Sequence, residues 1–143
     1  FSALKGKTVS SIWNGYGSTL FVEFGDLGTV RHKGRKISQS SGELTLMIEW
    51  SWRIERPRSI LGGSFSSKKR WPGMFQKLIG AHVAEAELFG AIPEILVWLS
   101  NGHRIASFST VEGQPEWALL TKTPKLGSLY VKKGALAVEQ PGS

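Results

Sequence analysis

The stretch Pro93 to Leu120, PEILVWLSNGHRIASFSTVEGQPEWALL, decides the fold. Two apolar runs flank Asn101-Gly102, and a third follows a loop containing Gly113 and Pro115. Asn and Gly tolerate positive φ, so the spacing predicts a β-hairpin closed by a two-residue turn. That turn sets Leu99 opposite Arg104, Trp98 opposite Ile105 and Val97 opposite Ala106. Alternation then puts Ile95, Val97, Leu99, Ala106 and Phe108 on one face, and Leu96, Trp98 and Ile105 on the other. Both faces are partly apolar, which predicts a hairpin covered on both sides, in the middle of a sheet or at an interface.

Outward from this stretch the chain reads as further short strands. Lys7 to Trp13 and Thr19 to Phe24 form a hairpin around Asn14-Gly15-Tyr16-Gly17, and Thr29 to His32 follows a second turn. Lys33 to Gly42 is basic, then serine-rich, and reads as an exposed loop. Glu43 to Glu55 alternates strictly, with Leu44, Leu46, Ile48, Trp50, Trp52 and Ile54 on one face, and predicts a single long strand. Pro57 ends it, since proline cannot donate a ladder hydrogen bond. Arg56 to Arg70 is rich in glycine, serine and cations and reads as a connection, and Trp71-Pro72-Gly73 opens a short helical turn through Lys77. Strands are expected at Ala81–Phe89 and Trp117–Thr121, and a last hairpin at Leu126–Lys132 and Ala135–Glu139.

Residues 4–27 and 78–102 share an internal pattern. Gly6-Lys7-Thr8-Val9 matches Gly80-Ala81-His82-Val83, Leu4 matches Leu78, and after one inserted residue Leu20 to Phe24 matches Ile95 to Leu99. A pseudo-repeat of one β unit is one account, and the general likeness of hairpins is the other. The fold class that results is all-β, or mostly β with one short helix. Its expected architecture is a two-sheet sandwich or open barrel built from hairpins, with two related β units as an option.

The 143 residues fit a single domain, 1–143, that buries a core without staples. Six Trp and seven Phe, with 41% hydrophobic and 20% charged residues, are inconsistent with a disordered chain. The absence of cysteine rules out disulfides, a thiolate nucleophile and cysteine-held metal. No apolar run approaches the roughly 20 residues of a membrane span, and Phe1 does not begin a basic-then-apolar leader. A soluble, cytoplasmic protein is the expectation, with a removed leader as the alternative.

Enzyme motifs are missing. His32, His82 and His103 are scattered, Asp26 is the sole Asp, Leu61-Gly62-Gly63-Ser64 lacks the lysine of a phosphate loop, and no nucleophile elbow occurs. No catalytic residue, cofactor or metal ligand is assigned, and a non-enzymatic role is preferred. The one candidate pocket combines His103, Glu112, Gln114, Glu116 and Trp117 around the Glu-Gly-Gln-Pro-Glu-Trp loop, for a small ligand or acid–base work.

A net charge of +7 and a pI near 9.9 point instead to an anionic partner. The cations are clustered: Arg31, Lys33, Arg35 and Lys36; then Arg53, Arg56 and Arg58; then Lys68, Lys69 and Arg70 beside Trp71. Brought to one face, these would neutralise phosphates, with Trp71 offered for stacking. Solvated loops are the competing and simpler account. The expected partner is a nucleic acid or another protein, and a homo-oligomer is a further option.

The motifs around Leu78-x-Gly80, Ala86-Glu87-Leu88-Phe89-Gly90, Pro93-Glu94-Ile95, Asn101-Gly102, Ser107-Phe108 and Glu112-Gly113-Gln114-Pro115-Glu116-Trp117 resemble small uncharacterised bacterial β domains. Some of these look like immunity proteins from toxin systems. The resemblance covers about the C-terminal half, brings no catalytic motif with it, and implies a bacterial, mostly β protein whose function it leaves open. Toxin nucleases are often basic, so a basic chain fits that target class poorly.

Overall fold

The computed structural model describes residues 2–30, 39–110, 112, 117–121, 128–132 and 135–139. The strands are β1 (Val9–Asn14), β2 (Leu20–Phe24), β3 (Gly28–Val30), β4 (Gln39–Ser41), β5 (Leu44–Ile48), β6 (Trp52–Glu55), β7 (Ile60–Gly63), β8 (Val83–Phe89), β9 (Glu94–Leu99), β10 (Arg104–Ser107), β11 (Trp117–Thr121), β12 (Ser128–Lys132) and β13 (Ala135–Glu139). One α-helix, α1 (Trp71–Gln76), follows a 3-10 turn at Lys68–Arg70. Two antiparallel sheets form a sandwich, with orders β1-β2-β5-β11-β12-β13 and β7-β6-β10-β9-β8; β3 and β4 make a separate ribbon.

The expected long strand 43–55 is broken. Ile48 ends β5 in the first sheet and Trp52 starts β6 in the second, so the chain changes layer between them. The break is a γ-turn: the Ser51 N–H donates to the Glu49 carbonyl at 2.9 Å, and Trp50 between them has φ 68°. Periodicity survives the crossing because Ile48 and Trp52 both face the core, while Trp50 is 58% exposed. Sequence alternation could not show this turn, since a γ-turn preserves the count of two.

The hairpin at Asn101-Gly102 is also displaced from expectation. The Leu99 N–H donates to the His103 carbonyl at 2.9 Å, leaving Ser100, Asn101 and Gly102 as a three-residue loop with Gly102 at φ 87°. Arg104 therefore faces Trp98, and Ile105 faces Val97. A register slip of one residue exchanges the faces. Ile95, Val97, Leu99 and Ile105 are all buried, whereas Trp98 is exposed on the outer side. The hairpin sits inside its sheet, as its apolar content demands, but only one face is fully covered.

Residues 56–70 contain β7, a strand hidden from the sequence by its glycines. A Cβ on Gly63 would lie 2.4 Å from the Trp52 carbonyl oxygen, so the close approach of β7 to β6 excludes a larger residue. The Lys33–Gly42 segment holds β4, and its remaining residues through 38 lie outside the described set.

Both sheets contribute to one contiguous core. Leu20, Val22, Leu46, Ile48 and Trp117 come from the first, Trp52, Ile54, Ile95, Val97 and Ile105 from the second, and Trp71, Met74, Phe75 and Leu78 close one side. Each such aliphatic side chain contributes about 1.5–3 kcal/mol by burial. The two carboxylates drawn inside are partnered. Glu23 accepts hydrogen bonds from the Trp13 indole at 2.8 Å, the Gly42 N–H at 3.0 Å and the Thr45 hydroxyl, and Glu94 accepts from the Ser107 hydroxyl at 2.9 Å and the Ser109 N–H at 2.5 Å.

Edge strands β1 and β8 meet through the Thr8–His82 bridge, and the bonds around it come in matched pairs. Gly6 N–H donates to Val83 and Gly80 N–H to Val9, both at 2.8 Å; Val9 N–H donates to Ala81 at 2.8 Å and Val83 N–H to Lys7 at 2.9 Å. Gly25 N–H donates to Thr8 at 2.8 Å, and Ser100 N–H to His82 at 2.7 Å. Each strand has a bulge at the same place, Val9/Ser11 and Val83/Glu85. The pattern extends across the sandwich. After β5 the chain crosses so that β6 pairs with β10 in the second sheet, and after β10 it crosses back so that β11 pairs with β5 in the first. The indoles of Trp52 and Trp117 then donate to the carbonyls of Ser18 and Pro93, at 2.6 and 3.0 Å, just before β2 and β9.

Candidate functional site

The outer face of the second sheet carries the side chains that the inner face cannot take. Arg53 and Glu55 on β6, Arg104 on β10 and Trp98 on β9 share this face through the pairings Arg104–Glu55 and Arg104–Trp98. Glu55 accepts from Arg53 at 2.7 Å and from Arg104 at 2.5 Å. Burial pushes its carboxyl up, but hydrogen bonds from Arg104 and Arg53 outweigh this and hold it below the usual carboxylate range. The Arg104 guanidinium lies 4.9 Å from the centre of the Trp98 ring, and that of Arg53 lies 5.6 Å from the Phe108 ring. Phe108 in turn meets Phe65 at 6.4 Å between centroids. Two cations joined by Glu55 thus lie between Trp98 on one side and the Phe108–Phe65 pair on the other.

At one end this row enters an open groove of about 660 Å³, lined by Arg53, Ile60, Phe65, Ser67, Arg70 and Phe108 among others. Phe65 is 82% exposed, and Ile60 is also exposed. With Ile60 and Phe108 the Phe65 ring forms a contiguous apolar surface, the kind that marks an interaction site. Arg70 reaches the groove from the 3-10 turn, where its guanidinium donates to the Leu61 carbonyl at 3.1 Å. Ser67 precedes that turn and is likewise exposed.

The basic clusters read from the sequence meet only in part. Arg53 and Arg70, from the second and third, line the same groove. Arg56 and Arg58 are exposed in the β6–β7 turn, and Lys69 is exposed on the 3-10 turn. Lys68 points elsewhere: its ammonium contacts the Gly17 carbonyl at 3.4 Å and lies 5.6 Å over the Trp71 ring. Arg31, Lys33, Arg35 and Lys36 lie outside the described residues. Trp71 is not a stacking surface. It is 3% exposed, packs against Trp52 and Phe75, and gives its indole N–H to the Gly63 carbonyl at 3.1 Å. Trp71 itself begins α1, with Pro72 in the first turn, and that helix turns the ring into the core.

The expected pocket of His103, Glu112, Gln114, Glu116 and Trp117 is not assembled by the described residues. His103 follows the C-terminal end of β9, while Trp117 is bonded to Pro93 before its N-terminal end. Six strand residues separate them, about 20 Å at the strand rise. Trp117 is 1% exposed and belongs to the core, Glu112 is exposed, and Gln114 and Glu116 lie outside the described residues. His103 itself has a buried Nδ1 without a hydrogen-bond partner among the described residues. Burial, then the charges of Lys77 and Arg56, hold its pKa below the ordinary histidine value. Among the described residues no three His, Asp or Glu side chains gather as a metal site.

Phe65, Phe108, Trp98 and Arg104 are the site residues that sequence reasoning missed. Trp98 and Arg104 carry a signal, being two large polar-edged side chains on alternating strands, but the two-residue turn set Trp98 against Ile105 and hid their contact. Phe65 gives none, because an exposed ring in a serine-rich connection looks like any loop residue. No protein-family model, curated protein or solved structure matches the chain.

Proposed function

We propose that this protein is a non-enzymatic binding module whose ligand is single-stranded nucleic acid, held in the groove of Arg53, Phe65, Arg70 and Phe108. The observation that carries the reading is that Arg53 and Arg70, distant in sequence, flank two aromatic rings in one open groove. Single strands are bound by cations along the phosphates and by rings that stack on bases, without base-specific hydrogen bonds. A duplex hides its bases and would leave Phe65 unused. The net charge of +7 favours the same partner over an acidic-ligand pocket of small volume. We also propose that 4–27 and 78–102 are copies of one β unit; the matched bonds around Thr8 and His82 support this.

The test is fluorescence anisotropy of labelled oligothymidylate and oligouridylate at two salt concentrations. Two phosphates neutralised, one by each arginine, predict about a sevenfold loss of affinity between roughly 50 and 200 mM salt. Phe65→Ala should weaken binding about tenfold with no change in salt slope, and Arg53→Ala with Arg70→Ala should flatten the slope. No binding at low salt, or binding indifferent to all three substitutions, would overturn the proposal.

A further inference from the structure

We infer that the binding path does not end at the groove but continues onto Trp50, which serves as a second stacking platform for the same single strand. The inference rests on the groove reading and adds to it a residue with no structural task of its own. Trp50 is the one described non-glycine residue at positive φ, and its ring is 58% exposed. Bulky side chains are rare in that conformation, and glycine adopts it at no steric cost. A tight turn between layers therefore calls for glycine or asparagine on folding grounds. Strain kept at a position where it contributes nothing to the core marks a side chain kept for contact with something else.

The surroundings point to the same ligand. The Trp50 carbonyl accepts the Ser18 hydroxyl at 3.0 Å, which pins the turn against residues 16–18. Tyr16 in that segment is 96% exposed, and Lys68 reaches its Gly17 carbonyl. The turn that carries the exposed Trp50, the segment that carries the exposed Tyr16, and Lys68 thus meet through Ser18 and Gly17 beside the start of β6. They adjoin the groove through the backbone: Phe108 N–H donates to the Ser51 carbonyl at 3.1 Å, and Ser64 N–H to the Trp52 carbonyl at 2.9 Å. Lys68 follows Ser67 of the groove directly, so the exposed segment Lys68-Lys69-Arg70 leads from the Gly17 contact to the groove. That charge is complementary to a phosphate backbone passing from one to the other, with bases free to stack at either end.

The experiment compares wild type with Trp50→Gly and, because it cannot disturb packing at 96% exposure, Tyr16→Ala. Affinity for labelled oligothymidylate of about 16 nucleotides, within the site range of single-strand binders, is measured beside the thermal midpoint. Trp50→Gly should bind about tenfold more weakly while melting no lower than wild type, since glycine relieves the turn. Tyr16→Ala should weaken binding by a smaller factor. If both variants bind as wild type does while Phe65→Ala is impaired, the path ends at the groove and this inference falls alone. Lack of wild-type binding would overturn both readings.

Discussion

The β1–β2 and β8–β9 hairpins enter the sandwich in the same way and leave it differently. Their inner ends are bonded reciprocally through Thr8 and His82, each begins after a glycine at positive φ, and each has a tryptophan from a crossing strand docked on its outer turn. Their outer faces do not correspond. In the first hairpin Trp13 stacks on Phe21 at 4.0 Å and ties its indole to buried Glu23. In the second, Trp98 is partly exposed beneath Arg104 and gives its indole N–H to Glu87. The shared half of this pattern is what two packed β units need in order to close a core. The divergent half is where surface chemistry has room to change, and it holds the row of rings and cations leading to the groove.

The equivalence is open to direct attack at the two indoles. Trp52→Ala and Trp117→Ala should each cost about 3–5 kcal/mol in denaturant unfolding, because each removes a fully buried ring and orphans a carbonyl at the mouth of a hairpin. A large gap between the two costs would show that the matched bonds conceal unequal packing. A smaller effect is expected at the paired glycines. Gly6 and Gly80 have φ 84° and 96° with open space where a Cβ would go, so only the backbone resists substitution. Gly6→Ala and Gly80→Ala should therefore each lose roughly 1–2 kcal/mol, and by the same amount, in the same measurement.

The smallest effect separates the hairpins by pH. His103 lies at the second turn with its pKa lowered by burial, Lys77 and Arg56, so the unfolded chain takes up its proton first as pH falls. Stability tied to the neutral ring is complete above the ordinary value of 6.5 and is lost as pH drops from there toward the lower folded pKa. His103→Gln should flatten that part of a melting-temperature profile. Glu55, lowered by Arg104 and Arg53, should give its own loss only below 4.5, and the substitution at 103 should leave that step in place.

Much of the fold is legible because burial writes itself into alternation. Leu20, Val22 and Phe24, or Leu44, Leu46 and Ile48, face one core and recur at the strand period. The failures fall where the backbone departs from that period without disturbing it. Gly102 makes a three-residue loop that a two-residue reading shifts by one, Trp50 turns the chain between layers while keeping the count, and β7 ends in Gly62-Gly63, which have no side chains to announce a strand. The site was less legible than the fold. Arg53 and Arg70 were visible as charges, but that they share a groove with Phe65 and Phe108 depends on β6, β10 and the 3-10 turn coming together. Trp71 illustrates the converse, a tryptophan among cations whose direction is set by the helix it begins.

By itself the sequence determined a basic, mostly β chain whose hairpins bury alternate side chains, together with the likeness of 4–27 to 78–102. These follow from local rules, because hydrophobic period, turn residues and charge are properties of neighbouring positions. Only the tertiary structure decided which strands lie side by side, that β6 and β11 change sheets, and that one face of the second sheet lines up rings and cations toward Arg70 and Phe65. Such arrangements join residues far apart in the chain, and the packing of one crowded core selects among pairings that local preference leaves nearly equal.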